Sequence, residues 1–221
     1  MPSVYDLSVS AEPTGLRERK KARTRAAISD TAIALFLAYG FERVPVVRVA
    51  AEAEVSKRTL FAYFPTKEDL VLHRFADHER ELAEVVRRRA PEQSPLDALR
   101  AHVLDGLRRR DPITGLTDAA EPLAIQRMIS QTPSLAARLL RYFASSEAAL
   151  REALEEGDGM PYAEAQVTAR VLAASVSSVL RALAEHNAAR LTEGESADAV
   201  APEAIAAVER AFALLRHGFG G

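Results

Sequence analysis

The sequence predicts an all-α protein, and three observations support this. Apolar residues recur at helical spacing along most of the 221 residues. Hydrophobic residues make up 48% of the chain, which is enough for a sizeable core, and alanine, the strongest helix former, is abundant. The 10 glycines and 11 prolines fall between the periodic segments, where turns are expected.

The N-terminal third predicts one long and two short helices. Residues 1–16 are expected to form a disordered arm, and a first helix is expected over residues 17–39, with Gly40 as its stop. Pro45 can open a second, short helix, because its missing N–H is not needed in a first turn. The third helix is expected over residues 57–64.

The polar residues around this third helix fit capping positions. Ser56 is a suitable N-cap for it, and Pro65 ends it. Thr66 can cap the next helix, with Asp69 three residues later in the position where a capping box carries Glu or Gln. We therefore expect a helix-turn-helix domain over residues 17–66.

The remaining residues, 67–221, predict a second helical domain. Turn-forming segments separate six expected helices, at residues 67–89, 95–110, 118–131, 134–156, 162–191 and 198–217. The last two are apolar on more than one face, so one face can meet the protein's own core and the other a second copy. The interpretation as fully buried helices of a monomer stays open. The residues expected at a dimer interface are Val176, Val179, Leu183, Ile205, Val208, Phe212 and Leu215.

The composition excludes several classes of protein. The chain has no cysteine, so disulfides and thiolate metal sites are excluded, and a reducing cytoplasm is compatible. The N-terminus lacks a basic region followed by an apolar run, so we expect no secretory signal. The apolar run at 171–180 lies between Arg170 and Arg181 and contains three serines, which makes it too short and too polar to span a bilayer. We expect a cytoplasmic protein without a metal or cofactor.

The charge is unevenly distributed along the chain. The net charge is −2, but residues 1–75 contain 12 Lys and Arg against 9 Asp and Glu. Six of those basic residues lie between Arg17 and Arg25, beside a single acidic residue. A basic end on an acidic body fits a protein that presents one end to a polyanion. A solvated, disordered tail is the alternative interpretation of this basic run.

The start of the third helix indicates what kind of molecule the protein binds. Its first turn, Ser56-Lys57-Arg58-Thr59, is polar and cationic, whereas the remainder of the helix is apolar. A helix with a basic first turn and a buried opposite face suits insertion into the major groove of DNA.

Residues 20–75 resemble the DNA-binding domain of TetR-family transcriptional regulators. The positions that carry the resemblance are Gly40-Phe41, Val49-Ala50, Ala53, the run from Val55 to Leu60 and the run from Tyr63 to Leu70. The segment from Thr132 to Leu135 is similar to one found in actinobacterial members. The resemblance implies an all-α homodimer whose last two helices pair across the dimer as a four-helix bundle. It also implies that residues 67–221 form the effector-binding and dimerisation domain of a repressor that leaves its operator when a small molecule binds.

The basic and polar residues of this domain are the candidates for DNA contact. Lys57 and Arg58 can reach guanine edges or phosphates, and Tyr63 can donate its hydroxyl to a phosphate. Lys67 is expected to begin the next helix, where its charge and the N-terminal amides converge on one phosphate. The full set of candidates is Arg19, Lys20, Lys21, Arg23, Arg48, Ser56, Lys57, Arg58, Thr59, Tyr63 and Lys67.

Three positions depart from the family pattern. Glu54 replaces the usual glycine of the turn, so either its backbone is left-handed, which would cost roughly 1 kcal/mol, or the turn is slightly altered. Val47 replaces a residue that reads bases in some members, and it can only pack or touch a thymine methyl. Phe61 replaces a common tyrosine, which removes one hydrogen bond to phosphate. The operator sequence therefore cannot be taken from relatives.

The effector pocket is expected between residues 67 and 191. Its candidate residues are polar or adaptable side chains on otherwise apolar helices, namely His102, Gln126, Arg127, Met128, Tyr142 and His186. Each could equally be a satisfied core or surface group. No nucleophile elbow, dinucleotide-binding loop, P-loop or zinc-protease motif is present, so we expect no enzyme.

Two functional hypotheses follow. The first is a sequence-specific DNA-binding regulator, most simply a repressor released from a palindromic operator by a small-molecule effector. The second is a helical ligand-binding or interaction protein that keeps a degenerate helix-turn-helix. The intact run from Ser56 to Lys67 favours the first hypothesis, whereas the choice between repressor and activator stays open.

Overall fold

The computed structural model describes residues 15–156 and 162–219, and within these ranges every regular element is helical. The predicted all-α fold is confirmed. The predicted disordered arm lies almost wholly outside the described residues. In chain order the elements are α1 (Leu16–Tyr39), α2 (Val46–Glu52), α3 (Lys57–Tyr63), α4 (Asp69–Asp77), α5 (Glu81–Arg88), α6 (Pro95–Arg108), a 3₁₀ turn (Pro112–Thr114), α7 (Ala120–Gln131), α8 (Pro133–Glu155), α9 (Tyr162–Thr192) and α10 (Ala197–Phe219).

The single helix expected over residues 67–89 is divided into α4 and α5. The N–H of His78 bonds to the Phe75 carbonyl at 3.1 Å, and the N–H of Glu81 bonds to the His78 carbonyl at 3.1 Å. Each of these bonds joins residues three positions apart, whereas the bonds of an α-helix join residues four positions apart. Two such bonds in succession form a tighter turn than the α-helix. The prediction of one continuous helix was therefore wrong. Sequence spacing does not signal the break, because the helical spacing of the apolar residues continues across it.

The chain divides into two compact units, Met1–Leu70 and Val71–Gly221. The first unit has its own aromatic core, in which the rings of Phe36 and Phe41 meet edge to face with centroids 5.0 Å apart. Leu60 in the middle of α3 and Phe64 just after its end are fully buried. Burying each such side chain stabilises the unit by roughly 1.5–3 kcal/mol, so α3 is held through its apolar face.

The second unit is a bundle in which α8 packs on α5 and α9, and α10 packs on α6 and α9. Its core is mostly aliphatic, with Leu99, Leu150 and Phe212 among the buried side chains. By length and composition alone, α9 could cross a membrane. Its residues Leu172 and Val176 pack in the core of the unit, whereas Val167 and Val171 are exposed.

The 3₁₀ turn of the second unit is fixed tightly against α9. Asn187 donates from Nδ2 to the Thr114 carbonyl at 3.0 Å. Gly115 has a φ of 71°, and a Cβ added there would lie 2.0 Å from the carbonyl oxygen of Ala184. Only glycine allows the turn and the α9 backbone to approach this closely.

Most of the residues predicted for the dimer interface face the interior of the second unit. Val176, Val208, Phe212 and Leu215 are buried in its core, while Val179, Leu183 and Ile205 pack partly buried against it. The four buried side chains therefore hold α9 and α10 in their own subunit, and the other three stay partly accessible. Helical spacing located the apolar positions but could not distinguish the inward face from the outward one.

Candidate DNA-binding surface and ligand cavity

The backbone of the turn between α2 and α3 decides between the two alternatives left open for Glu54. Glu54 adopts a φ of 53°, which is the left-handed conformation. The N–H of Val55 bonds to the Ala50 carbonyl at 2.9 Å, and the N–H of Glu54 bonds to the Ala51 carbonyl at 3.2 Å. These bonds satisfy the end of α2 and turn the chain into α3.

Ser56 caps α3, as predicted. Its Oγ accepts a 3.0 Å hydrogen bond from the N–H of Thr59 and lies 2.8 Å from the Thr59 hydroxyl. The Thr59 side chain is thus committed to the cap as well as being a candidate for DNA contact. Lys57 and Arg58 are exposed on the same first turn.

Replacing Ser56 with alanine tests this cap. Loss of an N-cap costs about 1 kcal/mol, and the first turn that positions Lys57 and Arg58 would fray. We expect a small drop in melting temperature together with weaker DNA binding, measured by thermal denaturation and fluorescence anisotropy. Ser94, which caps α6 by accepting from the Asp97 N–H at 3.1 Å, provides the matched control. Ser94→Ala should cost similar stability and leave DNA affinity unchanged; equal affinities of both variants would contradict the role of the cap.

The outer faces of α2 and α3 carry further candidates for DNA contact. The Arg48 guanidinium lies over the Tyr39 ring at 4.1 Å, a cation–π contact that fixes its direction. Val47 is 54% exposed and Phe61 38% exposed, so both apolar departures from the family pattern lie on the surface. The Lys57 ammonium is 5.9 Å from the centroid of the Phe61 ring. This surface therefore combines cations with apolar groups.

Lys67 differs from its predicted position. It lies in the turn before α4, which begins at Asp69, and its ammonium is 4.5 Å from the centroid of the Phe41 ring. It also donates to the Glu42 carbonyl at 3.5 Å. Burial lowers the pKa of the Lys67 ammonium, although the charges of Glu42 and Glu68 oppose this. The Lys67 ammonium therefore lies against the aromatic core of the first unit.

The predicted capping box before α4 is present. The N–H of Asp69 bonds to the Thr66 hydroxyl at 3.3 Å, and the N–H of Thr66 bonds to the Asp69 carboxylate at 3.1 Å. Asp performs here the reciprocal role that Glu or Gln has in the usual box.

The remaining candidates for DNA contact lie on α1 and α3. Those on the first turns of α1 are exposed, namely Arg19, Lys20, Lys21 and Arg23. Tyr63, at the end of α3, is half-buried.

The second unit contains a cavity of about 740 Å³, lined by residues between Phe75 and Val208. Three of the predicted pocket residues, His102, Gln126 and Tyr142, line it. The other three, Arg127, Met128 and His186, lie outside its lining, with Arg127 and His186 on exposed faces. A volume of this size is suited to a drug-sized organic molecule.

A histidine–glutamate–histidine cluster on the cavity wall was not predicted from the sequence. The Oε2 atom of Glu81 lies 2.5 Å from Nδ1 of His78, and its Oε1 atom lies 3.3 Å from Nε2 of His102. Burial would raise the pKa of the Glu81 carboxyl, but hydrogen bonds from His102 and His78 hold the pKa well below its ordinary value. The three-residue spacing of His78 and Glu81 was the available clue, but it requires the break between α4 and α5 to be known.

Metal binding is not supported by this cluster. Within the described residues, no group of three or more His, Asp or Glu side chains is arranged to hold a metal ion. Both carboxylate oxygens of Glu81 instead lie against imidazole nitrogens.

Sequence comparison relates the segment around α2 and α3 to a known family. The model described as "Bacterial regulatory proteins, tetR family" matches residues 28–73, the segment that contains α2, α3 and the turn between them. The HTH-type transcriptional regulator TcmR of Streptomyces glaucescens is 32% identical over 147 residues, which cover 66% of this chain and 65% of that protein. Residues 28–73 of the chain therefore belong to the TetR family.

A second relative agrees with this assignment. The putative mycofactocin biosynthesis transcriptional regulator MftR of Mycobacterium tuberculosis is 32% identical over 131 residues, covering 57% of this chain and 61% of that protein. The chain thus matches a little under two thirds of the length of these two relatives.

Two solved structures share the fold alone. Native NalD of Pseudomonas aeruginosa, the secondary repressor of the MexAB-OprM efflux pump, superposes with a TM-score of 0.55 at 19% identity over 86% of this chain and 97% of that chain. Salmonella enterica GusR superposes with a TM-score of 0.51 at 18% identity over 90% of this chain and 96% of that chain.

Proposed function

We propose that this TetR-family protein is a cytoplasmic, homodimeric repressor that binds a palindromic operator and leaves it when a small molecule occupies the cavity. The observation that carries the proposal is α3, whose capped first turn presents Lys57 and Arg58 while Leu60 and Phe64 anchor its opposite face. Guanine edges and phosphates are the groups that such cations recognise in a major groove.

Binding to the DNA upstream of the protein's own gene tests the proposal. We expect fluorescence anisotropy to show tight binding that depends on an inverted repeat and persists at moderate salt. Scrambled DNA of the same composition is the control, and two salt concentrations separate specific contacts from backbone electrostatics. Weak binding that is equal on both DNAs and lost with salt would favour the second hypothesis, a ligand-binding protein with a degenerate helix-turn-helix.

The homodimer is proposed to form through the exposed apolar residues of the last two helices. Val167 and Val171 lie one turn apart on α9 and are 65% and 46% exposed, and Leu214 on α10 is 74% exposed. Large apolar side chains at this exposure are unfavourable in water and suit burial against a second copy. Val179, Leu183 and Ile205 of the predicted set are only partly buried in the subunit and stay candidates for this interface.

Replacing Leu214 with glutamate tests this interface. A buried, unpaired carboxylate in the proposed contact would favour the monomer, whereas the isolated subunit should stay folded because Leu214 lies outside its core. We expect light scattering coupled to size exclusion to give half the wild-type mass. Leu16→Glu, at a residue 65% exposed on α1, is the matched control and should remain dimeric. A dimeric Leu214→Glu variant would place the interface elsewhere.

A further inference from the structure

The polar groups of the cavity define a class of ligand. The wall is largely apolar, with Phe75, Leu139 and Phe143 among its residues, so most of a bound molecule would be apolar. Its orientation would then depend on the few polar atoms available to it. Three of these atoms, on α6, α7 and α9, have the capacity to accept a hydrogen bond.

The first acceptor is a ring nitrogen of His102, and Glu81 determines which of its two nitrogens this is. Because hydrogen bonds from two imidazoles keep this carboxyl ionised, it can only accept, and the His102 nitrogen beside it, Nε2, must carry the hydrogen. In the neutral imidazole the other nitrogen, Nδ1, is then an acceptor. That nitrogen has no hydrogen-bond partner among the described residues. Glu81 therefore fixes the tautomer through which His102 meets a ligand.

The second and third acceptors are buried oxygen atoms without partners. Oε1 of Gln126 and Oγ of Ser177 are both inaccessible to water and make no hydrogen bond in the described structure, although both residues line the cavity. A buried polar atom left unsatisfied costs roughly 1–3 kcal/mol. A ligand that donates to such an atom recovers part of that cost.

The charged residues of the lining disfavour an anion. Five acidic residues line the cavity against one arginine, namely Glu79, Glu81, Asp111, Glu185 and Glu193 against Arg181. That arginine is paired with Glu185 at 3.2 Å. The field at the cavity is therefore negative, and a carboxylate or phosphate would be repelled.

We propose that the cavity binds a mainly apolar molecule that carries hydroxyl or N–H donors and no anionic group, with His102 and Gln126 as its specificity-determining acceptors. The proposal rests on the proposed function only where this ligand is called the effector. Binding itself is independent of DNA.

Three fluorescent probes of matched shape test the proposal on the full-length protein. 1-Hydroxypyrene has a donor, 1-methoxypyrene lacks it, and 1-pyrenecarboxylate carries an anion. One net hydrogen bond corresponds to about 0.5–1.5 kcal/mol, so we expect hydroxypyrene to bind roughly 2- to 12-fold more tightly than methoxypyrene. The carboxylate should bind most weakly of the three.

Two variants locate the preference in the cavity. His102→Phe keeps a ring and removes the acceptor, and Gln126→Leu keeps the volume and removes the amide. Each should reduce the ratio of hydroxypyrene to methoxypyrene affinity, and the second variant keeps the test available if the first fails to fold. His186→Phe makes the same change at an exposed histidine outside the cavity and should leave the ratio unchanged.

Several results would overturn the proposal. These are equal affinities for the two neutral probes, tightest binding of the carboxylate, no binding of any probe, or a ratio that survives both cavity variants. Because all titrations omit DNA, a failure here leaves the DNA-binding proposal standing. Loss of DNA binding with the probe preference intact would contradict the repressor and retain the ligand class.

Discussion

Replacing Lys57 and Arg58 together with alanine will abolish specific DNA binding and leave the dimer intact. Both side chains are exposed on the first turn of α3, whereas the core of the first unit is built from other residues, including Leu60. A good base contact is worth about 1–3 kcal/mol, so losing two corresponds to a loss of roughly 30-fold to 10⁴-fold in affinity. Fluorescence anisotropy on the operator measures the affinity, and light scattering measures the mass.

A matched double variant separates this effect from a general loss of positive charge. Arg88 and Arg109 are exposed in the second unit, where each pairs with a carboxylate one turn earlier in its own helix. Arg88→Ala with Arg109→Ala removes the same charge, and we expect operator affinity to change little. Retained specific binding by the α3 variant, or loss of its dimer, would remove the basis for assigning α3 to DNA recognition.

Replacing Gly115 with alanine will strongly destabilise the second unit. The added Cβ would lie 2.0 Å from the Ala184 carbonyl oxygen, and the backbone φ of 71° is unfavourable for alanine. Overpacking costs about 1–3 kcal/mol and the left-handed backbone about 1 kcal/mol more. We expect the melting temperature of this unit to fall by roughly 4–16 °C, since each kcal/mol shifts it by about 2–4 °C at this size.

Gly194 provides the control for this substitution. It also has a positive φ, 105°, but no atom lies within 4 Å of a Cβ built there. Gly194→Ala should therefore show the backbone cost alone and a clearly smaller shift in differential scanning calorimetry. If the two variants melted at the same temperature, the close contact between the 3₁₀ turn and α9 would not be a determinant of stability.

The features that could be predicted from the sequence are governed by local rules. Ser56 caps α3, and the Thr66–Asp69 box precedes α4, because the donors and acceptors of a cap lie within three residues of one another. These short-range patterns are confirmed. For Glu54 the same local rules left two alternatives open, and the structure has the left-handed one.

The features that could not be predicted depend on contacts between distant residues. Phe212 and Leu214 are both large and apolar and lie two residues apart on α10, yet one is buried and the other is exposed. Only the packing of α10 on α6 and α9 decides which of them faces inward. Glu81 and His102 likewise meet across α5 and α6, which sequence spacing does not reveal.

Selection of DNA sites from a random-sequence pool by the purified protein tests the central claim most directly, because the protein itself then chooses the sequence that it binds. We predict enrichment of one inverted repeat by the wild-type protein and no enrichment by the Lys57→Ala, Arg58→Ala variant. Failure of the wild-type protein to enrich any sequence, or enrichment of the same repeat by the variant, would contradict the account.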